Sequence, residues 1–131
     1  MKARLWLAEA GTVHPDRTVS LLRAGIDRFR GDTLPIPCQA VLAARFDAGI
    51  VDRGEHRYDL GCMDEDGKVV MQRVRGVFST PEGGAPYHYM FSLSLALPRY
   101  GPYVFFVRID NVELDSWTVR ATPTPQRGSL E

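Results

Sequence analysis

The chain has no surplus of charge of either sign: 16 Lys and Arg offset 16 Asp and Glu, and the pI lies near 6.8. A neutral total gives no electrostatic footprint for nucleic acid or an anionic membrane, so neither is expected as a partner, although a sum leaves room for a local basic groove. A long hydrophobic run is missing as well. No stretch reaches the ~18 apolar residues of a membrane span. The opening "MKARLWLAEAG" is too short in apolar residues for a signal peptide and meets Glu9 early. A soluble cytoplasmic protein is therefore expected. Cysteine is scarce. Cys38 and Cys62 allow one disulfide, but without an export signal both are expected as reduced thiols serving as small hydrophobes on strands.

Helical periodicity is nearly absent, and what is there instead is alternation. "ARLWLAEA" (3–10) puts Leu5 and Leu7 on one face, and Pro15-Asp16 suits the centre of the turn that follows. "TVSLLRAGIDRF" (18–29) runs back with a bend at Gly25, and Pro35 and Pro37 keep "GDTLPIP" out of regular pairing. "CQAVLAARF" (38–46) follows, then the irregular "DAGIVDRGE" (47–55), then strands at about 56–63 and 68–78, with "PEGGAP" (81–86) breaking the chain. "YHYMFSLSLAL" (87–97) is the clearest case. It sets Tyr87, Tyr89, Phe91, Leu93, Leu95 and Leu97 against His88, Met90, Ser92, Ser94 and Ala96, a period of two and hence a strand.

"YVFFVRID" (103–110) and "ELDSWTVRA" (113–121) read as a hairpin around Asp110-Asn111. That turn sets Ile109 opposite Val112, Arg108 opposite Glu113, Val107 opposite Leu114, Phe106 opposite Asp115, Phe105 opposite Ser116 and Val104 opposite Trp117. About eight short strands at this spacing indicate an all-β fold, an antiparallel β-sandwich of immunoglobulin-like or similar Greek-key arrangement. With 131 residues the chain fits one domain, expected over 1–122, followed by a polar tail at 123–131 whose last residues, Leu130-Glu131, read as a remnant of cloning.

Chemical motifs are few. "MDEDGKVV" (63–70) resembles a calcium loop, but with Gly67 at the glycine position of an EF-hand the first ligand falls on Cys62 and the last on Arg73, which cannot hold a cation. The stretch reads as a hairpin turn, with Asp64 and Asp66 solvated. His14, His56 and His88 show no spacing that aims two imidazoles at one metal. Ser92 and Ser94 alternate with leucines, and no G-x-S-x-G elbow exposes a nucleophile. Cys62, beside an acidic turn, makes a poor thiolate. "EGGAP" lacks the lysine and helix that a phosphate cradle needs. No catalytic residue, metal or cofactor is expected.

The apolar opening with Ala3, Leu5, Leu7, Ala8 and Ala10, then Asp16, "LRAGIDRF", "DEDGKVV" and "PRYGPYVFFVRIDNVEL", resembles a family of uncharacterised small all-β bacterial proteins. The likeness covers nearly the whole chain and implies the fold. It implies no activity for any residue. The chain departs at its first turn, where Asp16-Arg17 stands in place of Asp-Gly.

The function expected on these grounds is a non-enzymatic protein-interaction or structural module. A small-ligand or carbohydrate-binding sandwich is the alternative, supported by Tyr87, Tyr89, Tyr100 and Tyr103, and an enzyme is the least favoured class. The hairpin 103–121 is apolar on both faces: Tyr103, Phe105, Val107, Ile109 and Leu114 suffice for a core, yet Val104, Phe106 and Trp117 remain outside. With Met90 beside them and Arg108 and Glu113 as a polar rim, these residues form the expected interface of a homodimer or partner complex. The competing reading folds the loop 47–55 or the tail over the same side chains.

Overall fold

The computed structural model describes residues 1–80 and 85–125. Within them the chain forms β1 (Lys2–Ala8), β2 (Ala10–Val13), β3 (Val19–Leu22), β4 (Arg28–Arg30), β5 (Ile36–Ala48), β6 (Gly54–Asp64), β7 (Val74–Thr80), β8 (Ala85–Leu97), β9 (Gly101–Ile109) and β10 (Val112–Thr122), with one 3-10 turn at Ile50–Asp52. The protein is all-β. The strands are arranged as a three-stranded sheet β1-β5-β8, a five-stranded sheet β4-β10-β9-β6-β7 and a β2-β3 hairpin. Pairing is antiparallel except where β4 runs parallel to the end of β10.

The alternations read from the sequence fix which faces meet. β5 and β8 pair from Ile36↔Leu97 to Ala48↔Ala85, so that Cys38, Ala40, Leu42, Ala44 and Phe46 lie opposite Leu95, Leu93, Phe91, Tyr89 and Tyr87 on one side. Leu5 and Leu7 of β1 extend this face. The five-stranded sheet answers with Leu60 and Cys62 of β6, alternate residues of β9 from Tyr103 to Ile109, and Val119 and Ala121 of β10, and both sets join one buried cluster. Each large apolar side chain fully removed from water contributes about 1.5–3 kcal/mol. Where β7 and β8 end their sheets, aromatic rings fill the space between them, with Tyr58 5.6 Å from Phe91 and Phe78 6.0 Å from Tyr89. At the opposite seam the Leu5 amide donates to Asp115 Oδ2 at 2.8 Å, tying β1 to β10.

Four stretches differ from the sequence reading, each for a local reason. The strand expected over 3–10 breaks at Glu9, whose amide donates to the Leu22 carbonyl, and its second half becomes β2. The strand expected over 18–29 becomes β3 and β4, separated by Arg23 and Gly25 with positive φ of 52° and 96°. Pro37 lies inside β5 rather than before it, since β1 reaches only as far as Val41 and leaves β5 an edge at that point. The strand expected from 68 pairs with the end of β6 only through a Met63–Val69 bridge, with Asp64 N donating to the Lys68 carbonyl and Val70 N to that of Cys62, then leaves the ladder and rejoins it at Val74. At the first turn Arg17 itself takes the left-handed conformation, φ 71°, that glycine would supply.

The hairpin β9–β10 has its expected turn, with Asp110 and Asn111 both at positive φ, 50° and 67°. The register also begins as read, with Ile109 opposite Val112 and Arg108 opposite Glu113. A β-bulge at Leu114 then shifts it by one, so Asp115 lies opposite Val107, Ser116 opposite Phe106 and Trp117 opposite Phe105. One inserted residue keeps Leu114 against the core while turning Asp115 toward the Leu5 amide.

Both cysteines are free and buried. Burial pushes the Cys38 thiol up to about 11 and the Cys62 thiol up to about 12, the latter with a further push from Cys38 and Asp64. Neither is a nucleophile at neutral pH. A thiol reagent is expected to react with both only after denaturation; stoichiometric labelling of the folded protein within minutes would contradict this burial.

Candidate functional site

The outer face of the five-stranded sheet carries a concentration of arginine that the neutral total conceals. Across the ladder Arg75 of β7 lies opposite Asp59 of β6, Asp59 opposite Arg108 of β9, and Arg108 opposite Glu113 of β10. Arg57 is two residues from Asp59 on β6 and so points to the same side. Arg73, just before β7, donates through Nε to Asp59 Oδ1 at 3.1 Å and through Nη2 to Oδ2, while Arg75 Nε stands 3.7 Å from Oδ1. One carboxylate thus sits among four guanidinium groups. Among the described residues Arg57 and Arg108 have no carboxylate within ion-pair distance, and Arg108 and Glu113 face each other without pairing.

Phe106 explains how so much positive charge is held in place. It faces away from the core, yet is only 1 % exposed. Its ring lies over Gly61 on the neighbouring strand, where a Cβ would come within 2.6 Å of Cζ, and the guanidinium carbons of Arg108 and Arg73 stand 4.5 Å and 5.4 Å from its centroid. The ring receives two cation–π contacts, worth about 0.5–2 kcal/mol each, and the planar groups shield it from water. A groove of about 720 Å³ opens beside it, bordered by Arg57, Arg73, Arg75 and Arg108 and by the carboxylates of Asp59 and Asp110. That volume falls in the range of ligand sites.

The groove ends at a charged node. His56 Nδ1 lies 2.7 Å from Asp110 Oδ2 and Nε2 contacts the Asp52 carbonyl oxygen, so both ring nitrogens face acceptors, an arrangement that favours the protonated ring. Its pKa is raised, first by the hydrogen bond to Asp110 and then by that to Asp52, against the opposing effect of burial. Asp110 also accepts from the Arg57 amide at 3.0 Å, and its pKa is lowered. Asp110 is therefore engaged by His56, and the Arg57 side chain, which acts on it only through longer-range attraction, makes no ion pair with it.

The model of a family of unknown function, DUF6941, matches residues 5–122. The chain belongs to DUF6941. No curated protein matches it. The match runs from within β1 to the end of β10, so it spans the strands described above.

In this DUF6941 chain the six residues expected at an interface do not share one surface. Val104, Phe106, Arg108 and Glu113 lie on the outer face, as read, with Phe106 roofed by arginine. Trp117 does not lie there. The Leu114 bulge turns it to the inner side, where it packs against the core, donates from Nε1 to the Ile26 carbonyl at 2.7 Å and meets Trp6 at 5.8 Å. Met90 is in the other sheet, because β8 pairs with β5 and not with β9; its sulfur sits at Gly11 of β2. The loop 47–55 does not cover Phe106 either. Its Asp52 pairs with the Met1 ammonium at 3.2 Å, and Val51 is 93 % exposed. Residues 126–131 and most of the expected break at 81–86 lie outside the described residues.

The remaining candidates have structural employment. Asp64 accepts from the Lys68 amide at 2.8 Å, from the Asp66 amide at 2.9 Å and from Arg99 at 2.9 Å, which lowers its pKa; Arg99 also pairs with Asp66. His14 Nε2 meets Ser20 Oγ at 2.6 Å on the β2-β3 hairpin, and His88 Nδ1 meets the Arg17 carbonyl at 2.8 Å. The four tyrosines are dispersed. Tyr103 is buried with its hydroxyl on the Arg99 carbonyl, Tyr100 donates to the Gly31 carbonyl, and Tyr87 and Tyr89 line the gap between the sheets. Arg57, Asp59, Arg73 and Arg75 went unread in the sequence, although "RYD" and "RVR" do alternate charge with a core residue.

Two outcomes follow from this geometry. In Gly61→Ala the new methyl meets the Phe106 ring, so a stability loss of about 1–3 kcal/mol is expected on denaturant unfolding, whereas Val77→Ala on the same face changes little. For His56, a folded-state pKa above the unfolded one contributes stability that is fully present below about pH 6.5 and is lost as pH rises through the raised value. The melting temperature is therefore expected to fall between pH 6 and 9 in the wild type, and to lose that component in His56→Gln.

Proposed function

We propose that the chain is a non-enzymatic protein-interaction module whose two larger sheets are the layers of an antiparallel β-sandwich, and that the outer face of the five-stranded sheet is its interaction surface. The observation that carries this reading is the placement of Arg57 and Arg108, which border the groove and have no carboxylate in ion-pair contact among the described residues, around an apolar ring covered by guanidinium groups. Arginine planes on aromatic rings, with Val77 and Val104 nearby, give the mixture of aromatic, aliphatic and guanidinium groups enriched at interface centres. The partner proposed is an acidic protein surface. A second copy offering the same face would set like charges together, which costs several kcal/mol, so self-association through this face is disfavoured. In this reading the fold is a rigid support and the chemistry is charge complementarity.

The test is binding to poly-L-glutamate against poly-L-lysine at low ionic strength, where surface electrostatics are least screened. Poly-L-glutamate is expected to bind despite the neutral total charge, with the Arg57→Ser/Arg108→Ser double variant losing at least about tenfold in affinity, some 1.4 kcal/mol. Undiminished binding by that variant would remove the face from consideration.

A further inference from the structure

The groove beside Phe106 has a charge stoichiometry that selects among anions. Asp59 takes Arg73 as its close, two-pronged partner and Arg75 as a longer one, and Asp110 is matched by His56. Among the described residues Arg57 and Arg108 remain outside any ion pair, two positive charges bordering a cavity that Asp59 and Asp110 also line, with Glu113 facing Arg108 across the ladder. Arg57 and Arg108 are diagonal neighbours across the β6-β9 ladder, since Asp59 is opposite Arg108 and Arg57 lies two residues back, a separation of about 7–8 Å at the backbone that long side chains close easily. The Arg108 guanidinium carbon stands over the Phe106 ring, 4.5 Å from its centroid, and among the described residues its N–H groups have no hydrogen-bond partner, so they can donate to a ligand.

We propose that this groove binds a phosphate monoester borne on a side chain of the partner protein. The inference rests on the reading of the outer face as an interaction surface. A carboxylate or a phosphodiester brings one negative charge, and either would leave one of the two guanidinium groups unmatched in the groove. A phosphorylated serine, threonine or tyrosine brings about −1.5 to −2 charges and three acceptor oxygens, enough for forks from both arginines. The surrounding face favours a peptide-borne group over a free small molecule. Arg120 lies opposite Arg28 at the far side of the same sheet, with Arg30 two pairs further on, and all three are exposed. Arg120 is one strand spacing from β9 and Arg28 and Arg30 two, level with Pro102 and so roughly 20 Å along β9 from Arg108, within reach of the flank of an extended bound segment.

The test titrates the protein with a peptide carrying one phosphoserine between uncharged flanks, with its unphosphorylated and Ser→Glu forms, with free O-phosphoserine and with a single-stranded oligonucleotide. The phosphopeptide is expected to bind roughly tenfold or more tighter than the glutamate form and than free O-phosphoserine. Arg57→Gln and Arg108→Gln are each expected to weaken it about tenfold, and Arg28→Gln by less than about twofold. Should loss of the Phe106 contact unfold Arg108→Gln, the exposed Arg57→Gln carries the comparison. Equal binding of the phosphopeptide and glutamate forms would overturn the proposal while leaving poly-L-glutamate binding, and with it the interaction face, intact. Free O-phosphoserine as tight as the peptide, or an oligonucleotide that displaces it at equal phosphate concentration, would overturn it in favour of a metabolite or a nucleic acid.

Discussion

Strand β9 is buried on both of its faces, and the molecule is organised around that fact. Toward the inside, Tyr103, Phe105, Val107 and Ile109 are each at most 4 % exposed and meet the three-stranded sheet. Toward the outside, Phe106 is as deeply covered as they are. A strand in the middle of a sheet whose outer face met only water would alternate cleanly between core and polar residues. Here an outward aromatic had to be sheltered, and the shelter is made of glycine beneath and arginine above. Gly61 gives the ring room on the adjacent strand, and Arg108 and Arg73 close over it. The same device appears on the inner face, where the Tyr58 ring lies against Gly76 and no Cβ could fit. Packing therefore decides where the arginines stand, and the charge pattern follows.

That pattern is one of segregation within a neutral total. The acidic groups near the outer face are already engaged: Asp59 with Arg73 and Arg75, Asp110 with His56 and the Arg57 amide. Asp64 and Asp66, at and just beyond the end of β6, hold the turn and Arg99. Among the described residues, what is left outside any ion pair there is Arg57 and Arg108, with Glu113 as the counter-charge facing Arg108. An exposed single ion pair is worth little, but several like charges held by packing around one cavity cannot rearrange to neutralise each other, and they favour an incoming anion. The neutral sum over 131 residues does not describe this face, where arginines from β6, β9 and the region of β7 gather around one groove.

Much of the fold was legible because strands advertise themselves by alternation. The run 87–97 appears within β8 with its aromatic and leucine face inward, and Asp110-Asn111 forms the hairpin turn that its residues suggest. What was not legible depends on single residues with tertiary causes. The Leu114 bulge moves Trp117 across the sheet for the sake of an Asp115 hydrogen bond made 110 residues away in sequence, which no local pattern announces. Met90 was set beside β9 because consecutive strands often pair, whereas its strand crosses to β5. The arginine face was hidden for a different reason: its members come from β6, β7 and β9 and the segment before β7, and each alone reads as an ordinary solvated strand residue.

Side-chain NMR of arginine gives the most direct test of whether the guanidinium groups on this face are free to take an anion. In a titration with inorganic phosphate above pH 7, the Nε–H resonances of Arg57 and Arg108 should shift and saturate together, while that of Arg45, paired with Asp47 at 3.0 Å on the other sheet, should not follow them. Shifts of all three in parallel without saturation, or no shift at Arg57 and Arg108, would show that the outer face holds no anion site.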